Sequence, residues 1–131
     1  MIAPAVPITA LYAVPLALLV VALSARVSLL RRRHRVGLGD GGLPVLAQAI
    51  RAHGNAVENI PLALALMALL ELNGGPSALL HTFGVWFVAA RLIHAIGLTR
   101  SAGASLPRLF GAGSTLLILL GLALLNLVFA V

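Results

Sequence analysis

Over 131 residues the chain is 61% hydrophobic and only 9% charged, whereas a soluble domain carries about a quarter charged residues, so a water-solvated globule is excluded. The formal net charge of +6 would suit nucleic acid, but the arginines gather at the ends of apolar runs, where anionic headgroups and membrane topology account for them. No nucleic-acid partner is expected. There is no cysteine, which removes disulfides, a protein thiol nucleophile and cysteine-based metal sites.

In chain order the hydropathy reads as an all-α integral membrane four-helix bundle forming one domain over 1–131, since about 20 mostly apolar residues span a bilayer. The first helix is expected over about 8–30. No basic residue precedes Arg26, and Arg31, Arg32, Arg33 and Arg35 follow the apolar run; a signal peptide begins with positive charge, so this segment is expected to stay as an anchor. The second helix, about 43–72, follows the break Gly37 to Gly42, in which Asp40 is a candidate early cap. Gly74-Gly75-Pro76 then turns the chain into a third helix over about 77–98. A break from Gly97 to Pro107 precedes the fourth, about 106–130. Short loops rich in arginine stay cytoplasmic. Loops one and three are therefore expected in the cytoplasm and both termini on the opposite side. The Ala/Leu/Arg-rich, lysine-free composition suggests a bacterium, hence its inner membrane.

The polar residues carry the functional signal. Arg51-Ala52-His53-Gly54-Asn55-Ala56-Val57-Glu58-Asn59-Ile60-Pro61 opens the second helix, and an ionisable group at membrane depth marks a functional site by default. Arg51, Asn55 and Glu58 are spaced i, i+4, i+7 and fall on one stripe, so contacts from Arg51 to Asn55 and from Asn55 to Glu58 are expected. His53 lies roughly 160° away and should face another neighbour. Pro61 frees a carbonyl and can kink the helix. Arg91 and His94 share a face of the third helix, Arg108 opens the fourth, and Arg26 lies near the end of the first. All four helices thus deliver polar groups to one depth, expected at the cytoplasmic end.

At that depth Arg26, Arg51, Arg91 and Arg108 face a single acid, Glu58. Buried charges should be paired, so a bound anion completes the set. Carboxylates fit arginine forks, and lipid phosphates fit too. An Arg–Glu pair that only glues helices, and an Arg26 that only snorkels to the interface, remain open. His81 reads as a hydrogen-bonded helix residue, His34 as part of the solvated basic loop, and Glu71 as a solvated boundary residue. No two histidines share i, i+4 spacing, and no metal site is expected. Gly111 and Gly113 suit close helix approach.

Arg51-x-His53-x-Asn55-x-x-Glu58-x-x-Pro61 at the start of the second of four membrane helices resembles the membrane-associated proteins in eicosanoid and glutathione metabolism, the MAPEG family, and its bacterial branch most. Arg91-x-x-His94 and Arg108 match the family pattern as well. The resemblance implies a homotrimer with glutathione between neighbouring subunits near the cytoplasmic face, and a small hydrophobic substrate arriving from the membrane lipids. Carried over by position, Asn55, Glu58 and His94 would bind glutathione, and Arg51 and Arg91 would organise the polar core around Glu58. His53 belongs to the same motif, and Arg26 or Arg31 fills the place of the helix-one arginine. Arg108 would stabilise the glutathione thiolate, because an adjacent guanidinium lowers a thiol pKa. Family members with transferase or isomerase activity often carry a tyrosine one turn after the helix-three histidine; this chain has Leu98 there, and its one tyrosine is Tyr12. Two readings stand. One is a glutathione transferase of microsomal type acting on hydrophobic electrophiles, with peroxidase activity toward lipid hydroperoxides as a further expectation. The other is a non-catalytic member holding a lipid headgroup or other anionic ligand between subunits. A transporter or channel would need a continuous polar path, yet the other halves of the helices are almost wholly apolar apart from Glu71 and His81.

Overall fold

Proline opens the first two helices, where its fixed φ suits the first turn and its missing N–H costs nothing. In the computed structural model, which describes residues 5–100 and 105–129, these helices are α1 (Pro7–His34) and α2 (Pro44–Leu72). They are followed by α3 (Ser77–Arg100) and α4 (Leu106–Phe129). Of the break expected between Gly97 and Pro107, Gly97 to Arg100 continue α3 and Leu106 and Pro107 open α4, while residues 101–104 and the expected last residue of the fourth helix, Ala130, lie outside the described residues. Each helix is long and apolar enough to cross a membrane.

α1 runs one turn past its expected end, through the arginine cluster to His34. Arginine is a good helix former and its charge suits a helix C-terminus. Arg35 then takes a left-handed conformation, φ 57°, and Val36 N–H closes the last turn on the Arg31 carbonyl at 3.0 Å. In the loop, Gly39, Gly41 and Gly42 all have positive φ, a conformation glycine adopts freely. Asp40 does not cap α2 as expected. Its Oδ1 accepts the Gly42 N–H at 2.9 Å, and the N-cap of α2 is Leu43, without a side-chain cap.

α2 and α3 form a hairpin closed by Gly75 N–H on the Leu70 carbonyl at 2.8 Å. Leu46, Ala49, Ala52, Ala56, Ile60, Ala63, Met67 and Leu70 make the buried stripe of α2, spaced by three and four as a packed helix face requires. Its alanines let neighbours approach closely. α1 packs on α2 and α3, and so does α4, but α1 and α4 do not meet among the described residues. α2 and α3 are therefore central, with α1 and α4 at far corners. Leu16 and Leu23 of α1, Phe87 of α3, and Ile118 and Leu122 of α4 complete the core.

The α3–α4 seam is tight. A Cβ on Gly111 would stand 2.4 Å from the His94 Cβ, and one on Gly121 would stand 2.9 Å from the Phe83 ring. Gly113, by contrast, faces nothing within 4 Å, so of the two glycines expected at a close approach only Gly111 makes one.

At the end of the bundle away from the arginines, Glu71 corrects its sequence reading. Its two oxygens accept the Ile8 and Thr9 N–H groups, each at 2.8 Å. These are orphan donors of the first turn of α1, so Glu71 caps α1 from the end of α2. Beside it, Tyr12 Oη and His81 Nδ1 lie 2.8 Å apart with the rings edge-on, the hydrogen-bonded histidine anticipated for that position.

Candidate functional site

α3 contributes the central group. Arg91 sits on the buried face beside Ala90 and is 1% exposed. One Nη donates to Asn55 Oδ1 of α2 at 2.6 Å and the other to Thr115 Oγ1 of α4 at 3.2 Å. Thr115 in turn donates to the Gly111 carbonyl at 2.8 Å, and Asn59 Nδ2 donates to the Asn55 carbonyl at 2.8 Å. One guanidinium thereby ties three helices. Its partners are neutral oxygens, and Arg91 Nε has no hydrogen-bond acceptor among the described residues. A buried cation without a carboxylate is costly, and this one borders a cavity of about 140 Å³ lined by Asn55, Asn59, Arg91, Ala112, Thr115 and Leu116.

A second cavity, about 240 Å³, lies beyond Ala112 and is lined by His94, Ser105, Arg108, Leu109 and Ala112. His94 Nδ1 and the Arg108 carbonyl are 3.1 Å apart. A carbonyl only accepts, so Nδ1 carries the proton in this bond and Nε2 is left for another partner. Close packing of Arg108 over Gly97 holds this corner: a Cβ on Gly97 would meet Arg108 Cγ at 3.0 Å.

Arg51 and Glu58 lie elsewhere. They form an ion pair at 3.7 Å with side chains 65% and 58% exposed, on the outer side of α2. The expected contacts of Asn55 with Arg51 and Glu58 are replaced by the bond to Arg91, and Arg91 does not pair with Glu58. The helical wheel explains this. Arg51 and Glu58, seven apart, point within about 20° of each other but roughly 140° from the centre of the alanine stripe, while Asn55 and Asn59 sit on its shoulder. A third cavity, about 450 Å³, joins Arg51 and Glu58 to Arg31, Gly39 and Asp40. Arg31, not Arg26, is thus the α1 arginine that reaches the motif. Arg26 and His53 are half-buried and line none of the three cavities.

The polar residues of all four helices do gather at one end of the bundle, but as two groups on different sides. Asn55, Arg91, His94, Arg108 and Thr115 open toward α4, and Arg51 and Glu58 open toward α1. Sequence reasoning missed Thr115 and Asn59. Both carry a readable signal: Thr115 continues the stripe Arg108, Gly111 at helical spacing, and Asn59 follows Asn55 by one turn.

Four helices of membrane-spanning length with a buried, carboxylate-free guanidinium at one end define an integral membrane protein with a cationic group in its polar core. The sequence pattern of the MAPEG family matches residues 9–128, and the chain belongs to that family. It is 48% identical over 90 residues to "Inner membrane protein YecN" of Escherichia coli K12, covering 69% of each chain, and it matches the same protein of Escherichia coli O6:H1 to the same extent. These relatives agree with the bacterial branch that the motif resembled.

Proposed function

We propose that the protein is a glutathione-dependent transferase of the bacterial inner membrane, assembled as a homotrimer and acting on small hydrophobic electrophiles. The observation that carries this reading is Arg91, a buried cation whose partners are all neutral, next to cavities that also hold His94 and Arg108. Glutathione brings two carboxylates to such a site. Asn55, Arg91 and His94 would bind its backbone on the α4 side, and Arg51 and Glu58 would complete the site from a neighbouring subunit. Arg108 would hold the sulfur as thiolate. The thiolate forms a bond to the electrophilic carbon, the leaving group departs with its electron pair, and the thiol proton passes to solvent. Proximity of sulfur and apolar substrate supplies much of the rate.

The trimer is supported by where Glu58 falls. It is the middle residue of the 29-residue α2, a helix of roughly 44 Å against a hydrocarbon core of about 30 Å. An exposed ion pair there would face lipid chains, and charged groups at membrane depth are strongly disfavoured unless covered or paired within protein. A second copy packed on this side of α2 covers it. The basic end, with loops one and three, faces the cytoplasm in this proposal, and the termini lie opposite.

A second reading is favoured by Leu98, which is 4% exposed within the apolar core and offers no hydroxyl where active relatives often have one. In it the same pocket holds a lipid headgroup or other anion without turnover. Calorimetry with glutathione on detergent-purified protein separates the two, wild type beside Glu58→Ala. Binding that the substitution abolishes supports the transferase reading. A folded, oligomeric wild type that takes up no glutathione rejects it in favour of the second.

A further inference from the structure

The start of α4 carries a hydroxyl that its own helix does not use. The Leu109 N–H donates to the Ser105 carbonyl at 3.0 Å, which makes Ser105 the N-cap of α4. A serine there ordinarily accepts the N–H of the second or third helical residue. The second is Pro107, which has no N–H, and the third, Arg108, does not donate to it. Ser105 Oγ is shielded from solvent and has no hydrogen-bond partner among the described residues. A buried hydroxyl without a partner costs free energy.

Ser105 lines the cavity of about 240 Å³ together with His94, Arg108, Leu109 and Ala112. This turn is fixed against α3. A Cβ on Gly97 would stand 3.1 Å from both Pro107 Cβ and Arg108 N, atoms of a ring and a main chain with no rotamer to change. The cavity walls differ in kind. Ser105, His94 and Arg108 are polar, while Ala112 is apolar and Leu109 is an apolar side chain 72% exposed on the outside of the bundle. Here an anion held on the polar side meets an apolar molecule arriving from outside. Asn55 and Arg91 line the neighbouring cavity, where a guanidinium fork suits a carboxylate. A hydroxyl offers a single donor, which suits a single charged atom such as sulfur.

Resting on the transferase reading above, we propose that Ser105 is a further catalytic residue. Its hydroxyl donates a hydrogen bond to the glutathione sulfur, the same atom that Arg108 holds as thiolate. Only the χ1 and O–H torsions of the serine adjust to make that bond. Ser105 keeps its proton throughout. The thiol proton leaves to solvent, a sulfur electron pair forms the bond to the electrophilic carbon, and the leaving group departs with its own pair. As the sulfur loses its charge the bond from Ser105 weakens. Leu98 offers no hydroxyl from α3, and Ser105 supplies one from the start of α4.

The consequence is a pH signature that a structural role would not produce. A hydrogen bond to an ionised partner lowers a thiol pKa by about 1–2. Nucleophilicity falls with thiol pKa, with a Brønsted slope of about 0.4–0.5. Below the thiol pKa of both proteins, the larger thiolate fraction outweighs the weaker nucleophile, and Ser105→Ala should be roughly three- to fifteenfold slower. Above both values every thiol is ionised, and Ser105→Ala should be roughly two- to tenfold faster.

The test uses the detergent-purified full chain with glutathione bound. It follows the ultraviolet absorbance of the thiolate across pH, beside the pH–rate profile with chlorodinitrobenzene as electrophile. Ser105→Ala should raise the thiol pKa by about 1–2, with glutathione affinity nearly unchanged at low pH, where the thiol is protonated. Ser105→Thr should stay near wild type. Ser105→Gly lacks the hydroxyl but remains a good N-cap residue and should reproduce the rise. A rise with alanine alone would assign the effect to helix capping and overturn the proposal. Wild type and Ser105→Ala that bind glutathione with the same thiol pKa would overturn it while leaving the transferase reading in place. A wild type that takes up no glutathione removes that reading, and the role of Ser105 with it.

Discussion

Gly111 and Gly113 sit two residues apart on α4, and an alanine at each should act in opposite directions. At Gly111 the new Cβ would stand 2.4 Å from the His94 Cβ and 2.9 Å from the Ala90 carbonyl oxygen. Carbon atoms in contact prefer about 3.5–4.0 Å, so α3 and α4 must part by about 1 Å. The opposing atoms are backbone or Cβ, and no rotamer change relieves them. Overpacking of this kind costs about 1–3 kcal/mol, offset by the 0.5–1 kcal/mol or so that alanine gains over glycine inside a helix. The net expectation for Gly111→Ala is about 1–2 kcal/mol of destabilisation. The 3.1 Å bond between His94 and the Arg108 carbonyl would lengthen beyond hydrogen-bond range, shifting Arg108 away from its cavity. At Gly113 nothing lies within 4 Å, so Gly113→Ala keeps only the helical gain, about 0.5–1 kcal/mol of stabilisation. The assay is the mole fraction of sodium dodecyl sulfate at half-unfolding, followed by circular dichroism in mixed micelles. The midpoint should fall for Gly111→Ala and hold or rise for Gly113→Ala. Equal shifts in the same direction would refute the tight α3–α4 crossing at His94.

Thr115→Val keeps the side-chain shape but removes the acceptor of one Arg91 Nη. Hydrogen bonds to charged groups contribute about 1.5–3 kcal/mol, so the same titration should show a loss of that order, with Thr115→Ser close to wild type. Glu71→Ala removes both acceptors for the Ile8 and Thr9 amides. The cost should be that of a lost cap, about 0.5–2 kcal/mol. Hydrogen exchange should quicken at those two amides and leave the α3–α4 seam unchanged.

The spans were legible because apolar runs of membrane length have few other uses, and the gathering of polar groups at one end followed from chain direction alone. Which polar group meets which did not follow. Asn55 lies on one stripe with Arg51 and Glu58, and only the position of the buried alanine face decides that Asn55 turns inward to Arg91 while the ion pair turns outward. Ala49, Ala52, Ala56 and Ala63 could have marked that face, since small residues at three- and four-residue spacing favour close packing. Thr115 was similarly within reach, as part of the stripe through Arg108 and Gly111. Glu71 was not. Its partners are backbone N–H groups more than sixty residues away, and a backbone donor leaves no trace in residue identity. The extra turn of α1 shows the limit of hydropathy, which ends a span where charge begins although the helix itself continues.

The three-way tie at Arg91 also bears on the order in which the chain enters the bilayer. Synthesis from the N-terminus delivers Asn55 first, Arg91 next and Thr115 last. If α2 and α3 enter as their hairpin, the guanidinium would come in beside the Asn55 amide oxygen that it meets in the folded protein. Thr115 on α4 would then act as a latch, adding the last acceptor to a charge that the second and third helices would already hold.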